Sequence, residues 1–191
     1  MNKQKNFLNE SIENHRKVID NLTNQSDEIF EIINIAKHTL SNQNKILFCG
    51  NGGSAADSQH LAAEFTGRFI SKKQPLPAIA LTTDTSAITA IGNDFSFDEI
   101  FSRQVNALGV NGDLLFAIST SGNSTNVLKA VEESKKIGIT SIGLLGNDGG
   151  KLSEICDHSV VIKSNITSRI QEAHIFLGHL VCESVDDIRE Y

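Results

Sequence analysis

A short apolar run, a glycine-rich turn and a helical pattern follow one another without a break in residues 45–69, which read KILFCGNGGSAADSQHLAAEFTGRF. The run at 46–49 has the length of a strand buried on both faces, and from Ala55 good helix formers continue without a breaker until Gly67. This order predicts the opening strand and helix of an α/β sheet, with a polar turn at the strand's carboxyl end.

Strands and helices alternate along the rest of the chain. We predict further strands at 78–81, 113–118, 141–145 and 158–162, and helices ending near 91, at 97–108, at 125–136, briefly after 150, and from about 166 onward. Each connection between strands is too long for a hairpin, and right-handed crossovers place helices on both faces. The fold class is therefore α/β, a doubly wound and mostly parallel five-stranded sheet flanked by helices.

Two helices are predicted before the first strand, in residues 1–43. The second, at about 26–40, carries apolar residues on more than one face, including Phe30, Ile33 and Leu40. One face can cover the sheet while the other meets a partner chain, although a helical hairpin within the chain would give the same pattern. No segment of the sequence has the composition of a linker between domains, so we predict one domain over residues 1–191. We expect its first 43 residues to contribute to an oligomer contact.

Composition excludes several classes of protein. The net charge is −6 and the basic residues are scattered, which argues against nucleic-acid binding. No apolar run approaches the roughly 20 residues of a membrane span, and the N-terminal residues are too polar for a signal peptide. Cys49, Cys156 and Cys182 are odd in number and have no CxxC spacing, so we expect a cytoplasmic protein without disulfides.

Two polar turns follow predicted strands and could bind an anion. The first is GNGGS at 50–54, at the start of a helix whose N–H groups lack partners. The second, STSGNS at 119–124, offers the hydroxyls of Ser119, Thr120, Ser121 and Ser124 to a phosphate. Taken alone, the second turn is equally well explained as a loop capped by Ser124. Ligands of open parallel sheets bind beyond the carboxyl ends of strands, where both turns lie.

Nucleotide binding does not fit these turns. GNGGSAA departs from the G-x-G-x-x-G dinucleotide fingerprint, no acidic residue ends the second strand, and the lysine of a Walker A loop is missing. One turn into the helix after the first turn, His60 and Glu64 lie four residues apart and share a face. An imidazole and a carboxylate therefore follow a polar cradle, although an exposed helix pair would have the same spacing.

A family resemblance explains the same residues. The segment ISTSGNSTNVLKA at 118–130 resembles the phosphosugar-binding signature of the sugar isomerase (SIS) domain. Three further segments resemble the phosphoheptose isomerase family: FCGNGGSAADSQHLAAEFTGRF, TTDTSAITAIGND and RIQEAHIFLGHLVCE. The resemblance covers essentially the whole chain, and the last three motifs are much more specific than the first.

The resemblance implies a full set of site residues. The phosphate would be held by Ser119, Thr120, Ser121 and Ser124, and the sugar by Asn51, Gly52, Gly53, Ser54, Glu64, Asn93, Asp94 and Gln171. The catalytic residues would be Glu64 as base and His179 as acid/base. A zinc ion would be held by His60, Glu64, Gln171 and His179. The resemblance also implies a cytoplasmic homotetramer with active sites where subunits meet.

The implied reaction converts sedoheptulose 7-phosphate to D-glycero-D-manno-heptose 7-phosphate through an enediol, for ADP-heptose and lipopolysaccharide core precursors. It requires a base beside two adjacent carbons and a group that handles charge or protons on their oxygens. Two alternatives stay open at this point. One is a non-catalytic SIS module that binds a phosphosugar and acts as a protein partner, of the kind that associates with a replication initiator. The other is an isomerase of a different phosphosugar.

Overall fold

The central element is a five-stranded sheet whose strands all run parallel, in the order β2-β1-β3-β4-β5. We describe it from a computed structural model, which covers residues 2–70 and 74–186. The strands are β1 (Ile46–Gly50), β2 (Ala78–Ala80), β3 (Leu114–Ser119), β4 (Thr140–Gly146) and β5 (His158–Ile162). The helices are α1 (Asn2–Asn21), α2 (Ser26–Ser41), α3 (Gly53–Thr66), α4 (Thr85–Asp94), α5 (Ser102–Leu108), α6 (Thr125–Ile137), α7 (Gly150–Ile155) and α8 (Thr167–Ser184). The prediction of an α/β fold with a parallel five-stranded sheet is confirmed.

Helices cover both faces of the sheet, and the central strands are buried on both sides. In β3, Leu114, Phe116 and Ile118 face the layer of α2, α3 and α8, whereas Leu115 and Ala117 face the layer of α5, α6 and α7. This alternation follows from the two-residue period of a strand, and it explains why these strands are continuous apolar runs.

The two N-terminal helices pack on their own chain and still expose apolar residues. A 3₁₀ turn at Leu22–Gln25 joins α1 to α2, and both helices contact α8. Ile32, Ala36 and Leu40 are buried against the sheet, but Phe7 and Phe30 are 74% and 63% exposed. One face therefore serves the chain's own core, and an outer apolar face is left uncovered by the described residues. The contact with a partner chain stays a prediction.

The segment predicted as one helix at 97–108 is divided into two pieces. A 3₁₀ turn spans Phe97–Glu99, and α5 begins only at Ser102. The Ser102 hydroxyl donates to the backbone carbonyl of Glu99 at 3.2 Å and to its carboxylate at 2.7 Å. A serine side chain that bonds three residues back competes with helical backbone pairing, which accounts for the interruption.

Candidate active site

Two polar turns lie side by side because their strands are neighbours. Gly50 at the end of β1 is paired with Ile118 near the end of β3, so the residues that follow each strand meet at the same edge. Asn51 and Asn126 join the turns by a reciprocal pair of amide hydrogen bonds of 2.8 and 2.9 Å. Asn126 is buried in the first turn of α6 and is not among the residues predicted from the sequence. Its position two residues after the STSGNS segment was the available signal.

The second turn, residues 119–124, gathers hydroxyl groups, and we call it the hydroxyl turn. The Ser119 Oγ lies 3.0 Å from Ser124 Oγ and 3.4 Å from Ser121 Oγ. Although Ser124 occupies the N-cap position of α6, its side chain makes no capping bond. The loop interpretation with Ser124 as a cap is therefore wrong in its detail, because the hydroxyl faces the turn. Three hydroxyls and a helix N-terminus then converge on one small region, which suits a phosphate.

The imidazole and carboxylate of α3 meet a second imidazole from α8. His60 Nε2 lies 3.2 Å from Glu64 Oε1 and 3.4 Å from His179 Nε2. The two imidazole rings meet edge to face, with ring centroids 5.0 Å apart. The Phe69 ring also packs against His179, with 5.4 Å between the two ring centroids. The i, i+4 pair of α3 is therefore part of a cluster built from two helices, and more than a surface helix pair.

Gln171 reaches the first turn from α8. A Cβ added at Gly53 would lie only 2.2 Å from the Gln171 Nε2, so the amide occupies the space that a side chain at position 53 would need. Gly53 is the first residue of α3. Glycine at this position therefore lets the polar end of Gln171 approach the backbone of the predicted sugar cradle.

Electrostatics at the cluster favour a neutral His179. Loss of water around the ring lowers the pKa of His179, and the nearby His60 lowers it further, while Glu64 opposes the shift. In the hydrogen bond between the two Nε2 atoms only one of them can carry the proton. A neutral imidazole can accept a proton as a base, and the imidazolium so formed can give the proton back as an acid, as acid–base catalysis requires.

Asp57 is a further carboxylate beside this cluster. One of its oxygens, Oδ2, is buried and has no hydrogen-bond partner. Burial raises the pKa of Asp57, and His60 opposes the shift. The residue lies seven positions before Glu64 and therefore on nearly the same face of α3.

Asn93 and Asp94 lie apart from the groups just described. Both are exposed at the end of α4, and the Asn93 amide donates to the Asp94 carboxylate at 2.8 Å. No described contact within the chain joins them to either turn or to the imidazole cluster. The fold of one chain thus brings together most of the predicted site residues but leaves this pair at a different place.

The described residues contain no ready-made metal site of three His, Cys, Asp or Glu side chains. The two imidazoles and the carboxylate nevertheless show suitable pairwise spacing. Donor atoms about 2.0–2.1 Å from a tetrahedral zinc lie roughly 3.3 Å apart, close to the 3.2 and 3.4 Å separations found here. The residue types and these two separations fit zinc.

The fold and the hydroxyl turn define a class of protein. A family model described as the SIS domain matches residues 10–146, which include both turns and the His60–Glu64 pair. None of the helices in the described part of the chain is long and apolar enough to cross a membrane.

Similar proteins narrow the class. The chain is 52% identical over 183 residues to the phosphoheptose isomerase of Campylobacter concisus, covering 96% of this chain and 97% of that protein. It is 59% identical over 153 residues to the phosphoheptose isomerase of Aliarcobacter butzleri, covering 80% and 81%. The solved structure of phosphoheptose isomerase from Neisseria gonorrhoeae superimposes with a TM-score of 0.87 at 44% identity, covering 97% of both chains. The chain belongs to the phosphoheptose isomerase family of SIS-domain proteins. These relatives favour the enzyme over the non-catalytic binding module.

Proposed function

We propose that this protein is an aldose–ketose isomerase that converts sedoheptulose 7-phosphate to D-glycero-D-manno-heptose 7-phosphate. The observation that carries the proposal is the cluster of His60, Glu64 and His179, which α3 and α8 build in a chain that also gathers three serine hydroxyls in the hydroxyl turn. The relatives named above are phosphoheptose isomerases, which supports a seven-carbon sugar phosphate as the substrate. The reaction would feed the synthesis of ADP-heptose for the lipopolysaccharide core.

The hydroxyl turn is proposed to hold the phosphate. Ser119, Thr120, Ser121 and Ser124 can each donate an O–H, and backbone N–H groups at the start of α6 add a favourable dipole. The first turn, residues 51–54, would line the sugar next to it, since the turns are joined by the Asn51–Asn126 pair. Binding the phosphate at a fixed point orients the rest of an open-chain sugar toward α3 and α8.

Glu64 is proposed as the base that moves the proton between adjacent carbons. Its side chain is 25% exposed, so it remains accessible to a substrate, and His60 fixes one of its oxygens. His179 is proposed to exchange protons with the substrate oxygens, since the lowered pKa leaves it neutral at pH 7. As the enediol forms, Glu64 would hold the proton removed from carbon while His179 donates a proton to, or accepts one from, the substrate oxygens.

Zinc is a separate part of the proposal, with His60, Glu64, Gln171 and His179 as its ligands. When bound, the ion would polarise the substrate carbonyl as a Lewis acid. His60 has room to turn toward such an ion, because its side chain is 48% exposed. Glutamine is an unusual zinc ligand beside His, Cys and carboxylates. Gln171 lies against Gly53, the first residue of the helix that also carries His60 and Glu64.

A homotetramer with shared active sites is proposed for the assembly. Asn93 and Asp94 are exposed, and Phe95 and Phe97 beside them are 58% and 59% exposed. A neighbouring subunit that covers this apolar surface would bring an Asn–Asp pair to another chain's turns. The exposed outer face of α1 and α2 offers a second surface for a partner chain. We propose a cytoplasmic location, on the reasoning that the sequence has only three cysteines and no CxxC spacing.

The proposal is tested by incubating metal-analysed protein with sedoheptulose 7-phosphate and following aldose formation, with and without a chelator. Turnover that a chelator abolishes and zinc restores would support both the enzyme and the metal. Turnover that survives complete chelation would retain the roles of Glu64 and His179 and reject zinc. A folded protein that binds the sugar phosphate without converting it would favour the binding module.

Glu64→Gln tests the catalytic role directly. The substitution keeps the shape of the side chain but removes its ability to accept a proton, so we expect kcat to fall at least 100-fold, on the order of a general base's contribution. Binding of the substrate, measured by calorimetry, should stay within about threefold. Glu154→Gln on the exposed surface of α7 makes the same chemical change away from the site and should leave both quantities unaltered. Full activity in Glu64→Gln would refute the mechanism.

A further inference from the structure

The hydroxyl turn packs against another turn, which has no role in the proposed function. This other turn, residues 146–150, connects β4 to α7, and we call it the support turn. The side-chain amide of Asn147 donates to the backbone carbonyl of Thr120 at 3.0 Å. From the start of α7, the N–H of Leu152 donates to the carbonyl of Gly122 at 2.9 Å, and the N–H of Lys151 donates to the Asn123 Oδ1 at 3.1 Å.

These bonds pull the carbonyls of the hydroxyl turn toward the support turn. A peptide unit is planar and trans, so its N–H points opposite to its C=O. When Asn147 holds the Thr120 carbonyl on one side, the N–H of Ser121 points to the opposite side, away from the support turn. The peptide unit between Gly122 and Asn123 follows the same rule. The Leu152 N–H holds its carbonyl on one side, and on the other side its N–H donates to the Ser121 Oγ at 3.2 Å.

Asn147 itself is held in an unfavourable backbone conformation. Its φ is +56°, in the left-handed region where glycine is comfortable and asparagine is tolerated. The residue is exposed, so it contributes nothing to the core. Glycine would satisfy the backbone of this turn at least as well, which leaves the side-chain amide as the feature that asparagine adds. Its partner is the carbonyl within the hydroxyl turn.

We propose that Asn147 is a positioning residue for phosphate recognition. By fixing the Thr120 carbonyl, it aims the Ser121 N–H and the neighbouring hydroxyls at the phosphate group of the substrate. This inference rests on the proposed function, because it assigns a role within the phosphate subsite of that reaction. In this role Asn147 acts through the backbone of the hydroxyl turn, by its bond to the Thr120 carbonyl.

Asn147→Gly is the decisive variant, since it removes the amide and relieves the backbone at the same time. We expect KM for sedoheptulose 7-phosphate and the competitive inhibition constant of inorganic phosphate to rise together, by about three- to tenfold, the range for loss of one hydrogen bond. We expect kcat to change less than twofold and the thermal midpoint to stay level or rise. Asp148→Asn is the matched control. It lies in the same exposed turn, keeps its acceptor for the Gly150 N–H, and makes no bond to the hydroxyl turn.

The outcomes separate the positioning role from the proposed function. If the wild-type protein converts the substrate and is inhibited by phosphate, unchanged constants in Asn147→Gly would overturn the positioning role alone. A fall in kcat and thermal midpoint at constant phosphate inhibition would also overturn it, by showing that the amide serves only folding. A wild-type protein that neither turns over the substrate nor binds phosphate would overturn the proposed function and this role together.

Discussion

His174 allows a quantitative prediction of acid sensitivity. Its ring lies on α8 with no exposure to solvent, and neither ring nitrogen has a hydrogen-bond partner of ordinary geometry. Burial lowers the pKa of His174 from 6.5 to about 4, and the nearby backbone of Leu145 opposes this shift. The folded protein therefore keeps His174 neutral over a pH range in which the unfolded chain binds a proton.

The difference between the folded and unfolded pKa values sets the sign and size of the change in stability with pH. Because the pKa is depressed in the folded state, the contribution to stability is complete above pH 6.5 and is lost as pH falls from 6.5 toward 4. At 1.36 kcal/mol per pKa unit, the free energy of unfolding should fall by about 2 kcal/mol between pH 7 and pH 5, and by about 3 kcal/mol in total. Protonation of this single buried imidazole would then remove a large fraction of the free energy of unfolding of an ordinary domain.

The assay is urea unfolding of wild type and His174→Leu at pH 7 and pH 5, at one fixed protein concentration. Leucine fills a similar apolar space and cannot titrate, so the variant should lose about 2 kcal/mol less than wild type over this interval. Comparing the two proteins cancels the contributions of all other titrating groups. Equal losses in both proteins would refute the reasoning, as would an NMR titration that places the pKa of His174 near 6.5.

Three further substitutions test the packing around the site. Gly122→Ala places a Cβ 2.0 Å from the Gly149 carbonyl oxygen, at a residue whose φ is +66°. We expect the free energy of unfolding to fall by about 2–4 kcal/mol in chemical denaturation. A fall below about 1 kcal/mol would show that the two turns separate easily. Gly53→Ala should displace Gln171 and lower kcat/KM by at least about tenfold with little change in thermal midpoint, whereas unaltered kinetics would remove Gln171 from the site. Asp113→Ala removes a buried carboxylate that accepts from the backbone N–H groups of Lys45 at 3.0 Å and Val110 at 2.8 Å; we expect a loss of about 3 kcal/mol measured by denaturation, and wild-type stability would show that water replaces these bonds.

The sequence predicted the fold in detail because local rules and global fold agree in this chain. Continuous apolar runs such as residues 46–49 and 114–118 are compatible only with strands covered on both faces, and the helices between them fix the parallel order. The pattern misled where a side chain competes with the backbone, since the Ser102 hydroxyl divides a segment whose apolar pattern predicts one helix. It also ended α4 near residue 91, whereas the helix continues to Asp94.

The site was predictable wherever its residues are close in sequence. His60 and Glu64 share a face through helical geometry alone, and the hydroxyls of the second turn follow one another directly. The meeting of His60 with His179, 119 positions later, depends on how α3 packs against α8, which no local pattern contains. The resemblance to a family supplied that connection in advance.

The sequence by itself determined the sheet, its two polar turns and the kinds of group that the turns offer, because strand period, helix period and glycine placement are local properties. Only the tertiary structure decided which distant groups share a surface: His179 beside His60, Asn126 paired with Asn51, and the Asn147 amide on the Thr120 carbonyl. It also placed Asn93 and Asp94 on the outside of the chain. Long-range contacts arise from packing of whole elements, whose relative positions follow from the complete core and from no single segment of it.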